Sequence, residues 1–147
     1  MRNDQFGYDI SLSSAQAVQA WDGMVLAFLA HAAATPDHLG RVLEAEPDFA
    51  MAHAVKGLFC LMLGRREMDE TAGAAHETAM LCARQGAPLP REMGYVRALG
   101  AWLGGRPSES LREMEAILTR WPEDALAMKI SHEIGRASCR ERVSSPV

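Results

Sequence analysis

The sequence predicts an all-α chain made of tandem antiparallel helix pairs. Three observations carry this. Apolar residues recur at intervals of three and four along most of the chain. Capping residues, prolines and glycines interrupt that pattern at short intervals, so the loops are short and successive helices are antiparallel neighbours. No segment shows the strict alternation of a half-buried strand. The composition agrees, since 147 residues with 48% apolar and 23% charged are enough for one domain with a sizeable core.

Residues 1–12 form an N-terminal extension. Helix one then starts at Ser13, which makes a capping box with Gln16. Its stripe is Val18, Trp21, Val25, Phe28, Leu29 and Ala32, so it is expected to run to about Ala33. Thr35-Pro36-Asp37 supplies the second start: a cap, a first-turn proline and an acid at the positive helix end. Helix two turns Leu39, Val42 and Leu43 inward and stops at Pro47.

Asp48 is the expected cap of helix three, about Phe49 to Leu63. That helix is apolar on nearly every side and therefore takes the central place among its neighbours. Gly64 ends it in a position that favours left-handed backbone. Helix four, about Glu67 to Arg84, has an inward row of Met68, Ala72, Ala75, Ala79 and Cys82, small enough for a close helix crossing. Gly86 and Pro88-Leu89-Pro90 mark the largest break. Helix five, about Arg91 to Leu103, carries Val96, Leu99 and Leu103. Helix six, about Ser108 to Arg120, buries Leu111, Met114, Ile117 and Leu118. Trp121 packs at its end, Pro122 terminates it, and Asp124 caps a seventh helix.

Residues 134–147 read differently. The string Ile134-Gly135-Arg136-Ala137-Ser138-Cys139-Arg140-Glu141-Arg142-Val143 shows neither helical nor strand period, and it resembles translated vector or adaptor read-through. The expectation is a helical domain over 13–133, truncated, followed by a non-native tail. Removing the tail's three arginines leaves the rest more acidic than the whole chain's net charge of -4.

The pairs repeat. Val42 to His53 holds an end-of-helix proline followed by a helix restart, and Ile117 to Met128 holds a second copy of the same phase. Pro47 and Pro122 stand a little over two units of about 34 residues apart. Ala52, Gly57 and Gly64 fall where a tetratricopeptide repeat (TPR) places a small residue, a close helix crossing and a turn. Lys56, Cys60, Gly73 and His76 depart from its usual residues, so the repeats are degenerate. This phase predicts a TPR-like α-solenoid, an open stack in which the first and last pairs do not touch; a closed four-helix bundle with two added helices is the alternative.

The segments Glu46 to Ala54, Arg91 to Leu99 and Met114 to Pro122 resemble the tetratricopeptide repeat protein 38 family. Phe6-Gly7-Tyr8 and the Ser-rich cap before helix one are similar to it too. The resemblance covers most of residues 5–132. It implies a helical repeat scaffold that continues with further pairs beyond His132, and no catalytic residues to carry over.

Chemistry is sparse. The histidines, His31, His38, His53, His76 and His132, make no HExxH pattern, since Met80 stands where His76-Glu77 needs a second histidine. Cys60, Cys82 and Cys139 form no C-x-x-C pair and read as free thiols, a Cys60–Cys82 disulfide being the alternative. Glu67, Asp69 and Glu70 suit a helix N-terminus better than a metal. Gly104-Gly105-Arg106 is a turn without a phosphate-loop context. The methionines are spread as core filler. No catalytic, metal-binding or cofactor-binding residue is therefore assigned, and no cofactor is expected.

An acidic net charge gives no reason to bind nucleic acid or anionic lipid. No apolar run is long enough to span a bilayer, and the start lacks a signal-peptide pattern, so the expected compartment is the cytoplasm. The expected role is a non-catalytic scaffold for a protein or peptide partner. An enzyme or accessory domain with a small-ligand pocket near helix three, where His53 and Lys56 lie one turn apart, is the competing reading. Leu111, Leu118, Trp121, Leu126 and Ile130 are expected to form an exposed patch favouring self-association.

Overall fold

A computed structural model describes residues 2–144, with side chains through Ser138. Seven helices follow in order: α1 (Ala15–Leu29), α2 (Thr35–Ala45), α3 (Ala50–Met62), α4 (Glu67–Gln85), α5 (Pro90–Leu103), α6 (Pro107–Arg120) and α7 (Ala125–Ser144). The fold is all-helical, as the periodicity predicts. One departure is a two-residue antiparallel ladder, β1 (Arg2–Asn3) with β2 (Asp9–Ile10), which pairs Arg2 with Ile10 and Asn3 with Asp9. A ladder this short carries no alternation to detect. It is made by a turn in which Asp4 Oδ1 accepts from the amides of Phe6 and Tyr8, and in which Gly7 takes φ 84°.

Helices α1–α2, α3–α4 and α5–α6 pack as pairs, α3 lies beside α5, and α7 lies on α6. The central helix is α3, which touches α2, α4, α5 and α7 and buries Met51, Val55 and Leu58 completely. Contact between α1 and α7 is the feature the expected open stack lacks. Lys129 of α7 donates to the carbonyls of Phe28 and Leu29 at the end of α1, and its ammonium lies 4.5 Å from the Phe28 ring centroid.

Several boundaries differ for local reasons. Ser14, not Ser13, caps α1 by accepting from the Ala17 amide, while Glu46 accepts from both serines. The helix stops at Leu29, short of Ala33, and His31 turns into left-handed backbone at φ 56°. Thr35 is not a cap: its hydroxyl donates to the Ala32 carbonyl. Phe49 occupies the cap position of α3 without a side-chain bond, in place of Asp48. Gly64 does adopt the left-handed turn at φ 68°.

The largest correction is at α7, which does not break at Ile134 but continues to Ser144. Ile134 extends the buried row Leu126, Ile130 by one more turn of four and is itself fully buried, and Ser138 follows it. Helical period thus persists where the composition reads as foreign. The expected exposed patch does not form either. Leu126 and Ile130 are in the core, and Leu111, Leu118 and Trp121 are half-buried against it. No helix among the described residues is long and apolar enough to cross a membrane.

Candidate functional site

Two arrangements bring polar or exposed apolar groups together. The first is buried. Arg91, at the start of α5, donates from Nη2 to Asp4 and from Nη1 to Asp124, each at 2.9 Å. The Tyr95 hydroxyl, one turn further along α5, donates to the Asp124 carboxylate at 2.9 Å. Asp124 also accepts from the Ala127 amide, so it fulfils the expected role as cap of α7 while holding two side chains of α5. The Arg91 guanidinium lies 5.5 Å from the Tyr8 ring centroid, and the Tyr8 hydroxyl accepts from the Glu123 amide. Arg91 Nε has no hydrogen-bond partner among the described residues.

Electrostatics follow from this burial. Desolvation pulls the Arg91 pKa down, but Asp124, Tyr95 and Asp4 outweigh it and hold the guanidinium above its ordinary value. Burial, reinforced by Asp124, pushes the Tyr95 phenol well above its usual range, so it is a donor throughout the working pH range. Beside them, burial raises the Asp22 carboxyl, against the Gln5 amide that donates to it. The cluster therefore has the chemistry of a joint. It presents no poised acid or base to solvent.

A neighbouring carboxylate does similar work. Glu92 is buried and accepts from the Ser11 amide, the Ser11 hydroxyl and the Leu89 amide. Glu46, at the end of α2, accepts from the amides and hydroxyls of Ser13 and Ser14. Together with the Arg91 cluster, these bonds tie the whole N-terminal extension to the helices.

The second arrangement is a half-open groove of about 780 Å³ between the C-terminal ends of α3 and α5 and the middle of α7. Leu61, Met62, Leu63, Trp102 and Leu103 supply its apolar lining, and Leu63 is 62% exposed. Arg65, Arg66, Asp69 and Glu133 supply its charged lining. Glu133 is met by Arg136, whereas Arg65 and Arg66 make no ion pair among the described residues.

The residues weighed from sequence are not brought together. His53 Nε2 lies 2.8 Å from the Pro47 carbonyl oxygen, closing the end of α2, while Lys56 is exposed one turn away. His31 faces Lys129, His38 packs over Gly23, His76 packs over Gly100, and His132 is exposed. Glu67, Asp69 and Glu70 occupy the first turn of α4. No group of His, Cys, Asp and Glu among the described residues is placed to hold a metal ion. Cys60 and Cys82 are free and buried, and burial raises both thiols, opposed by Lys56 at Cys60 and reinforced by Asp48 at Cys82. Neither is activated as a thiolate. Cys139 lies outside the described side chains.

Sequence reading missed Arg91 and Asp4 altogether and the exposed lining of the groove. Arg91 begins a helix after a proline, a place where an exposed arginine is ordinary. Comparison with known proteins adds no identity: no family model matches the chain, and no solved structure matches it.

Proposed function

We propose that this chain is a non-catalytic scaffold, a degenerate TPR-like repeat array that holds a segment of a protein partner in the groove between α3, α5 and α7. The observation that carries the reading is the groove itself: exposed Leu63 and half-buried Trp102 lie beside the unpaired charges of Arg65 and Arg66. Such a surface suits an apolar side chain flanked by a carboxylate. The paired packing of α3–α4 and α5–α6, with Gly57 at the crossing of α3 and α5, supports the repeat reading. The α1–α7 contact departs from the open stack, in which the first and last pairs do not touch, and favours a closed arrangement of these helices.

In this reading the protein works in the cytoplasm and contacts neither nucleic acid nor membrane. The competing enzyme reading rests on His53 and Lys56, of which His53 Nε2 lies 2.8 Å from the Pro47 carbonyl oxygen and Lys56 is exposed.

The test is selection of peptides from a random display library on the intact chain, followed by fluorescence anisotropy of the enriched sequences. Binding is expected to weaken at least tenfold in Leu63→Asp and to be unchanged in Lys56→Ala. Failure to enrich any peptide over the Leu63→Asp control, or small-molecule turnover lost on His53→Ala, would overturn the reading.

A further inference from the structure

We propose that residues 2–12 form a clasp that holds the first helix against the last, and that releasing this clasp opens the α1–α7 seam while α3 to α6 stay folded. The seam is built unlike the other helix joints. Where α3 crosses α5, a Cβ on Gly57 would fall 2.5 Å from Leu99 Cδ2, and where α5 crosses α6, a Cβ on Gly94 would fall 2.8 Å from Ile117. Those joints are close apolar approaches, and they part only when the core does.

The α1–α7 seam has an apolar contact of its own, Trp21 and Val25 beside Leu126, and to this the N-terminal strand pair and its turn add a set of polar ties. Asp4 reaches Arg91, which reaches Asp124 at the start of α7. Gln5 donates from its amide and its side chain to Asp22 of α1. Tyr8 accepts from the Glu123 amide, two residues before α7 begins. Trp21, Val25 and Leu126 line the remaining crevice beside Asp4, Asp22 and Asp124, with no volume that a water occupies.

These polar ties have energetics of their own. A buried ion pair contributes little beyond offsetting its desolvation, but removing one partner strands the other charge. Arg91 Nε has no hydrogen-bond partner among the described residues, so the guanidinium is held through its two Nη atoms alone. Loss of one strap contact therefore acts on the seam selectively. The aromatic pairs that join α1 to the rest, Trp21 on Phe49 and Phe28 on Phe59, do not involve the strap.

Hydrogen exchange on the full chain tests the clasp with two variants, Asp4→Asn and Tyr8→Phe; the second removes no buried charge from the Arg91 cluster. The expected result is amide exchange about tenfold faster or more in residues 2–12, in α1 and in the first two turns of α7, with α3, α4, α6 and the part of α5 beyond its first turn unchanged. Equal acceleration across α1 to α7 in both variants would make the strap part of one cooperative core and overturn the proposal. No acceleration in either would overturn it as well. If Asp4→Asn does not fold, Tyr8→Phe alone decides between these outcomes.

Discussion

Arg91 and Asp4 stand 87 positions apart in the chain and meet at 2.9 Å, each with only 3% of its side chain exposed. The pair turns an N-terminal segment with almost no regular structure into part of the core. It also links the two ends of the fold, because the same guanidinium grips Asp124 at the start of α7.

The first expectation concerns that guanidinium. Arg91→Met keeps much of the aliphatic stem but strands two buried carboxylates. A loss of about 3–5 kcal/mol is expected, read as a shift of the urea unfolding midpoint. Arg91→Lys is expected to recover only part, since a single ammonium replaces the planar fork that serves two partners. A loss under about 1 kcal/mol in Arg91→Met would mean that the cluster is effectively solvated.

Glycine substitutions should separate packing from backbone entropy. Gly57→Ala forces a Cβ against Leu99 at the α3–α5 crossing and is expected to cost about 1–3 kcal/mol. Gly40→Ala, in an exposed turn of α2 where a Cβ meets nothing within 4 Å, is expected to stabilise by about 0.5–1 kcal/mol. Thermal melts of both variants check the opposite signs. Equal effects would show that α3 and α5 are not in close contact.

Two carboxyls should bend the stability-against-pH curve in opposite directions. Burial would raise Glu46, but the hydrogen bonds from Ser13 and Ser14 outweigh it and hold its pKa below the ordinary value. Its contribution is therefore full above the unfolded carboxyl pKa and is lost as pH falls through the lower folded value. Asp22 is raised, by burial first, so its ionisation opposes folding: the cost is complete above its folded pKa and relieved below the unfolded one. Melting temperature measured from about pH 3 to 7 should lose its acid-side fall in part in Glu46→Gln. Asp22→Asn should gain stability at the neutral end. The reverse signs would contradict the assigned environments.

The helices were legible in the sequence and their long-range ties were not. Periodicity and breakers placed α1 to α6 within a few residues, because caps, prolines and apolar rows are local signals. Asp124 was readable as a cap for the same reason, yet its bonds to Arg91 and Tyr95 join residues 33 and 29 positions apart and leave no local trace. Ser14 rather than Ser13 is the cap because α1 begins at Ala15, and the bonds that Glu46, just past the end of α2, accepts from both serines leave no local trace. The course of α7 was misread because composition was weighed above spacing: Ile134 keeps the four-residue step from Ile130. The groove had no sequence signal, since its lining comes together only where the ends of α3 and α5 meet the middle of α7 in space.

Lys129 should prove to be the second tie across the α1–α7 seam. Helix α1 has no basic residue in its last turn, so the negative end of its dipole is uncompensated from within. Lys129 supplies the missing cation from α7, donating to the Phe28 and Leu29 carbonyls while lying over the Phe28 ring. Lys129→Met preserves the apolar stem and deletes the charge, which separates the cap from simple packing. A loss of about 1–2 kcal/mol is expected from the dipole and ring interactions together, measured by urea unfolding at low salt. Part of that loss should fade at high salt, since the nitrogen is only half-buried. Double substitution with Asp4→Asn should cost more than the sum of the two single changes if both close one seam, because each single variant still leaves the other tie in place. Strict additivity would place the strap and Lys129 in separate units of the fold.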